Sequence, residues 1–362
     1  MKPRFKLISP VLLFAFAISQ SFAQVTLPRT PSPGAEASQT VGISTVQVKY
    51  SRPSVKGRKV WGELVPYGWN VQAFGAGNSA PWRAGANENT TITLSNDAKI
   101  EGNSVPAGTY GLFFVINQDN SGEVILSKNY KSWGSFFYDQ REDQMRAKIQ
   151  VRDVANSAEL LTYDFINLTK TGAELVLNWE KKQFPVKIEF AVDQIVMANA
   201  KDELRSTTGF NIQGPISAAR YSLMNNIELE QGLKWIDQAL NNAPNNFGAL
   251  QVKSGILTKM GKAADAEKMM KDALTTATEN DINNYGYQLM NQGQNDKAIE
   301  VFVVNTQRFP KSANVWDSLG EGYATKGDKE NAIKSFKKSL TLNPPAGTKA
   351  NSEKFLKQFG AM

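Results

Sequence analysis

The sequence predicts a two-domain chain, an all-β antiparallel sandwich followed by an all-α helical-repeat domain. Three observations carry this. From about residue 40 to 192, β-branched and aromatic runs such as "STVQVKY", "TTITL" and "GEVILS" recur about every 10 residues, with turn formers such as "PAG" and "NQDNSGE" between them. From about residue 196 the apolar spacing becomes helical. Pro244, Pro310 and Pro344 then end comparable segments 66 and 34 residues apart, the longer gap equalling a 34-residue unit plus one of 32. A length of 362 residues with 41% hydrophobic content suffices for two packed cores.

The elements follow in order. Residues 1–23 place Lys2, Arg4 and Lys6 before an apolar run from Leu7 to Ile18 and a small-x-small end at Ser21 and Ala23, which reads as a cleavable signal peptide with Gln24 first in the mature chain. The apolar run falls short of the roughly 20 residues a membrane span needs, and no later segment is long enough, so no span is expected after cleavage. Residues 24–39, rich in Pro, Ser and Ala, read as an extended leader, and 40–192 as the β-sandwich. Within it "SFFYDQREDQMR" is helix-like in pattern and equally readable as an extended edge. Residues 193–212 are expected to be a linker, 213–346 the repeats, and 347–362 a C-terminal capping helix whose Phe355, Leu356 and Phe359 cover the end of the stack.

Composition removes several chemistries. There is no Cys and no His, so thiol nucleophiles, Ser-His-Asp triads, disulfides and imidazole zinc sites are unavailable. Loss of the three signal-peptide cations lowers the net charge from +7 to +4, and the remaining Lys and Arg form no stripe, so nucleic acid is not an expected partner. No cofactor or metal site is expected, and the enzyme question leans toward no.

The last unit, "ANVWDSLGEGYATKGDKENAIKSFKKSLTLNP", carries Trp316, Leu319, Gly320, Tyr323, Gly327, Ala332, Phe336 and Pro344. The unit before it carries Tyr285, Gly286, Leu289, Gly293, Ala298, Phe302 and Pro310. Two earlier, fainter units keep Leu257, Gly261, Ala266 and Ala273, and Leu223, Ile236, Ala239 and Pro244. This half resembles the tetratricopeptide repeat, in which paired helices approach closely at small residues. Helical spacing puts Asn283, Tyr287 and Asn291, then Asp317 and Glu321, on the exposed face of first helices, where a polar or basic peptide or protein partner is expected.

The β half carries Tyr50-Ser51-Arg52-Pro53, Lys56-Gly57-Arg58, Leu64-Val65-Pro66-Tyr67-Gly68, Trp82-Arg83-x-Gly85-Ala86-Asn87-Glu88 and Pro106-Ala107-Gly108-Thr109-Tyr110-Gly111. Together, over roughly residues 34–191, these resemble the bacterial domain-of-unknown-function family numbered 2911. About a dozen extra residues, "GWNVQAFGAGNSAP", separate motifs that usually lie close. The resemblance implies an exported bacterial protein, periplasmic or secreted, and no established activity.

Two readings of the charged motifs stay open. In one, Glu88 clamps Arg52 and Arg83 to pin a loop. In the other, Tyr50, Arg52, Lys56, Arg58, Trp82, Arg83, Asn87 and Glu88 form a site for a carbohydrate or an anion, with Tyr67 and Tyr110 adding stacking faces and Gly85 admitting a ligand to the backbone. The functional expectation is an exported cell-envelope binding or scaffold protein. The alternative is a carbohydrate-active hydrolase with Glu63 and Glu88 as paired carboxylates. Asp139, Glu142 and Asp143 lack calcium-loop spacing and read as a solvated face with Arg141.

Overall fold

The computed structural model describes residues 31–362, so the expected signal peptide lies outside the described residues. Two compact units meet in sequence between Phe190 and Ala191.

The first unit runs β1 (Gly34–Val41), β2 (Ser44–Ser51), β3 (Asn70–Val71), β4 (Ser79–Ala80), β5 (Thr91–Leu94), β6 (Ala98–Ile100), β7 (Asn103–Val105), β8 (Gly108–Ile116), β9 (Ser121–Ser127), β10 (Asp143–Gln150), β11 (Arg152–Ile166) and β12 (Gly172–Phe190). A six-stranded antiparallel sheet has the order β1-β2-β5-β8-β9-β10 and a four-stranded one β11-β12-β6-β7, while β3 and β4 form a separate small ribbon. Period-two sequence becomes period-two burial: in β2, Val46, Val48 and Tyr50 are buried while Thr45 and Lys49 face water. β8, between β5 and β9, is buried throughout Tyr110–Ile116, which is why its sequence is continuously apolar. The two sheets meet where the Phe114 ring of β8 lies 5.2 Å from the Phe184 ring of β12.

Three segments differ from the sequence expectation. Residues 34–39, expected to belong to the leader, are strand, pairing with β2 in the register Gly34↔Ser51 to Val41↔Ser44. "AELVLNWE" and "FPVKIEF" form one strand, β12, through an irregularity at Glu180, which has a φ of 52°. "SFFYDQREDQMR" is no α-helix: 3-10 turns at Gly134–Phe137 and Gln140–Glu142 lead into β10.

The second unit is α1 (Val192–Glu203), α2 (Gln213–Asn225), α3 (Leu229–Asn242), α4 (Phe247–Lys259), α5 (Ala263–Leu274), α6 (Glu279–Asn291), α7 (Asn295–Arg308), α8 (Ala313–Lys326), α9 (Lys329–Leu340) and α10 (Ala346–Gln358). The expected linker 193–212 is instead mostly helix, α1 and a 3-10 turn at Thr207–Phe210. Met197 buries completely beside Trp235 and Ile236, and the Tyr221 hydroxyl donates to Asp193 Oδ1 at 2.8 Å, so packing overrides a polar, low-periodicity sequence.

Helices α2 to α9 pair as four helix hairpins. The repeat glycines mark where two helices meet: a Cβ on Gly286 would lie 2.6 Å from Phe302 Cζ, and one on Gly320 would lie 2.7 Å from the Phe336 ring. First helices of successive pairs touch through Gln251 Nε2, which donates to Gln288 Oε1 at 3.3 Å, and Tyr287, whose hydroxyl hydrogen-bonds Ser318 Oγ at 3.0 Å. α10 closes the stack, with Phe355 stacked on Phe336 at 4.9 Å and Leu356 buried.

Candidate functional site

The loop "PWRAGANEN" is first of all a corner. Ala84 and Asn87 adopt positive φ (54° and 61°), and the Ala84 carbonyl accepts from the hydroxyls of Thr90 (3.1 Å) and Tyr163 (2.9 Å). Gly85 is required by its own scaffold, since a Cβ there would meet Thr90 Oγ1 at 2.6 Å; this accounts for the glycine without a ligand.

One face of this corner borders a cavity of about 760 Å³, within the range of small-molecule sites. Lys56, Arg58, Trp82, Arg83 and Asn87 line it. So do Asn70 and Gln72 from the ribbon β3–β4, Trp179 from β12, and Ser135. The segment between Tyr67 and Trp82 thus builds a wall of the cavity. It is anchored near its start and at its middle. Trp69 lies under the Arg146 guanidinium at 4.7 Å, and the amide of Ala76 donates to the Phe136 carbonyl at 2.8 Å while Phe74 meets the Phe136 ring edge-on at 5.7 Å.

Arg83 is the chemical centre. Its Nη1 donates to the Asn87 carbonyl at 2.8 Å, its guanidinium lies 4.9 Å from the Phe136 ring, and Gly134, at φ +60°, leaves the gap it fills. Burial holds the guanidinium below its usual pKa. No Asp or Glu is among the described residues lining the cavity. Arg58 donates to the carbonyls of Val55 (3.1 Å) and Ser54. Lys56 is exposed, and its backbone amide donates to Glu159 Oε1. Trp82 stacks on Trp179 at 5.9 Å and 16°, and the Trp179 indole N–H, on a side chain 2% exposed, has no acceptor among the described residues.

Three expected site residues lie elsewhere. Tyr50 is core: its ring packs edge-on to Tyr163 at 4.7 Å and its hydroxyl oxygen accepts the Tyr163 amide at 3.1 Å. Arg52 donates to the Leu161 carbonyl (2.9 Å) and the Thr162 hydroxyl (2.6 Å) on β11, which draws it away from the cavity. Glu88 is exposed and does not line the cavity, and the hydrogen bonds of Arg52 and Arg83 go to other groups than its carboxylate, so the three are not joined as the expected clamp. Tyr110 likewise is buried, donating to the Pro106 carbonyl at 2.9 Å, whereas Tyr67 is exposed and packs over Gly62.

The carboxylates of the hydrolase alternative do not converge. Glu63 is exposed and pairs with Lys59 at 3.1 Å, and like Glu88 it is absent from the cavity wall. Asp139 holds Arg141, which keeps its carboxyl down at about 2, as the hydrogen-bonded form is the ionised one. Asp143 accepts from the Tyr138 hydroxyl at 2.8 Å and from Arg146, and Glu142 accepts from Asn129 at 3.0 Å.

In the repeats the expected partner face is partly covered by the chain itself. Asp317 is 5% exposed, accepting from Ser352 Oγ and from Asn351 Nδ2 at 2.9 Å, and Glu321 accepts from the same Asn351 amide at 2.5 Å. Both donors sit on α10, some 30 to 35 residues further along, where helical spacing within α8 gives no sign of them. Burial raises both carboxyl pKa values. Tyr287 is half-buried against Phe302 at 5.2 Å, Asn283 is half-buried with its side-chain oxygen lacking a donor among the described residues, and Asn291 is exposed.

Residues 32–188 match the family model described as protein of unknown function (DUF2911), and residues 313–345 match that of the tetratricopeptide repeat. Among curated proteins, superkiller complex protein 3 of Mus musculus is 40% identical over 52 residues, covering 14% of this chain and 3% of its own length. Tetratricopeptide repeat protein 37 of Xenopus laevis is 27% identical over 161 residues, 42% of this chain and 10% of its own. The chain therefore spans a tenth or less of these relatives. Among solved structures, MamA (MSR-1) aligns at 18% identity over 41% of this chain and 93% of its own with a TM-score of 0.25. YrrB, described as a TPR protein with an unusual peptide-binding site, aligns at 18% over 45% and 84% with a TM-score of 0.27. No helix among the described residues is long and apolar enough to cross a membrane. The chain thus joins a domain that matches the DUF2911 family over residues 32–188 to a C-terminal half that resembles tetratricopeptide repeats.

Proposed function

We propose that this is an exported cell-envelope scaffold protein, in which the helical repeats hold a protein or peptide partner and the β unit serves as a ligand module. The supporting observation is the continuous row of first helices, joined through Gln251–Gln288 and Tyr287–Ser318, which presents amide groups of α4 and α6 rather than a closed apolar core. With Asp317 and Glu321 engaged by α10, the partner surface contracts to α4 and α6, where Gln288 and Asn291 are exposed. Uncharged amides there suit an extended polar peptide, whose backbone groups they pair.

Export rests on the charged, apolar and small-residue order of residues 1–23. Cell fractionation with N-terminal sequencing tests it: mature protein starting at or near Gln24 outside the cytoplasm is expected, and full-length protein confined to the cytoplasm refutes it. For the repeats, a photo-crosslinking residue at Gln288 is compared with one at exposed Lys334 on α9. An adduct specific to position 288 is expected; none, or equal labelling at both positions, refutes the partner surface.

A further inference from the structure

Arg83 is half-buried, with one hydrogen bond among the described residues, to a carbonyl, and its cavity contains two further cations and no carboxylate among the described lining residues. A guanidinium removed from water is ordinarily matched by an acid, because the desolvation cost is otherwise uncompensated. Here its flat face rests on Phe136 and its anchoring bond leaves Nε and Nη2, one edge of the donor fork, without a protein acceptor among the described residues. Two planar oxygens fit that edge.

The rest of the wall is not that of a bare ion site. Asn70 and Gln72 each spend one amide N–H on the Gly68 and Asn70 carbonyls, keeping a second N–H and the side-chain oxygen for a ligand, while the Trp179 indole N–H is a buried donor with no acceptor among the described residues. Trp82, partly exposed and backed by Trp179, supplies an apolar wall. Acceptors for hydroxyls, an aromatic wall for C–H faces and a fork for an anion match one class of molecule.

Resting on the reading of the β unit as a ligand module, we propose that this cavity binds an acidic saccharide, with its anionic group on Arg83 and its hydroxyls facing Asn70 and Gln72. The chemistry is recognition alone, with no bond made or broken.

Calorimetric titration of the full mature chain tests this with three probes: tri-galacturonate, neutral maltotriose and inorganic phosphate. Tri-galacturonate is expected to bind about tenfold or more tighter than either of the others, and to weaken as salt rises. Arg83→Gln should lower its affinity by about tenfold or more, with Arg83→Lys intermediate, since a point charge replaces the fork. Gln72→Ala, on the exposed ribbon and away from the core, should weaken tri-galacturonate severalfold with its salt dependence unchanged. Unfolding midpoints measured on each variant show that the chain tested is folded. Equal binding of maltotriose, or phosphate binding as tightly as the trisaccharide, overturns the acidic-saccharide assignment while leaving a ligand module. Failure of all three probes, or Arg83→Gln binding as wild type, overturns the Arg83 site.

Discussion

Gly134→Ala puts the arrangement around Arg83 to a quantitative test. Gly134 has a φ of +60°, a conformation costing an L-residue about 1–2 kcal/mol. The new methyl would also lie 2.6 Å from Arg83 Nε, so the guanidinium must leave. Leaving forfeits the face of Phe136, worth about 0.5–1 kcal/mol, and the bond to the Asn87 carbonyl, about 1 kcal/mol. The expected loss is therefore about 2.5–4 kcal/mol. Gly102→Ala separates the contributions: its φ is +80° and a Cβ there meets nothing within 4 Å, so it carries the backbone cost alone. Urea unfolding of the full chain, followed by tryptophan fluorescence from the Trp61, Trp82 and Trp179 cluster, should place Gly134→Ala about 1.5–2 kcal/mol below Gly102→Ala. If the two variants are equally stable, the guanidinium is not held by Phe136 and Asn87 as described.

Three further outcomes follow from the repeats. Gly286→Ala should destabilise by about 1–2 kcal/mol net, an overpacking cost against Phe302 exceeding the helix-propensity gain, and Phe302→Leu in the same chain should recover part of it; strict additivity in a double-mutant cycle would refute the contact. Phe336→Ala, removing a fully buried ring between Gly320 and Phe355, should cost about 3–5 kcal/mol, read as a fall in the thermal midpoint of the helical unit. Asp317 and Glu321 have raised folded pKa values, so their contribution to stability is fully present below the unfolded value near 4 and is lost as pH rises through the folded value. The double variant Asp317→Asn, Glu321→Gln should therefore gain on wild type between pH 4 and 7.5 in thermal melts, and a constant difference across that range would count against buried carboxylates.

The repeat half is readable in sequence because its determinants are local: Gly286 and Phe302, or Gly320 and Phe336, lie sixteen residues apart and must meet for a helix pair to close. The cavity is less so. Trp82, Arg83 and Asn87 stand out as a cluster in one loop, but Trp179, Asn70 and Gln72 reach the same space from β12 and the β3–β4 segment, and no spacing rule connects them. Tyrosines mislead for a related reason. Tyr50 and Tyr110 are amphipathic in isolation, and only the fold reveals that a Tyr163 amide and a Pro106 carbonyl satisfy their hydroxyls inside the core. Asp317 and Glu321 show the converse: helical spacing within α8 places them together on one face, yet α10, the helix that follows the last repeat, covers that face.

Phe136 joins two things that sequence keeps apart. Its backbone carbonyl holds the β3–β4 segment at Ala76, and its ring carries the Arg83 guanidinium. The wall segment of the cavity and the guanidinium of Arg83 therefore rest on the same residue, one on its backbone and the other on its ring. A change at that one residue is therefore felt by the wall and by the charge together, although the two lie on separate loops.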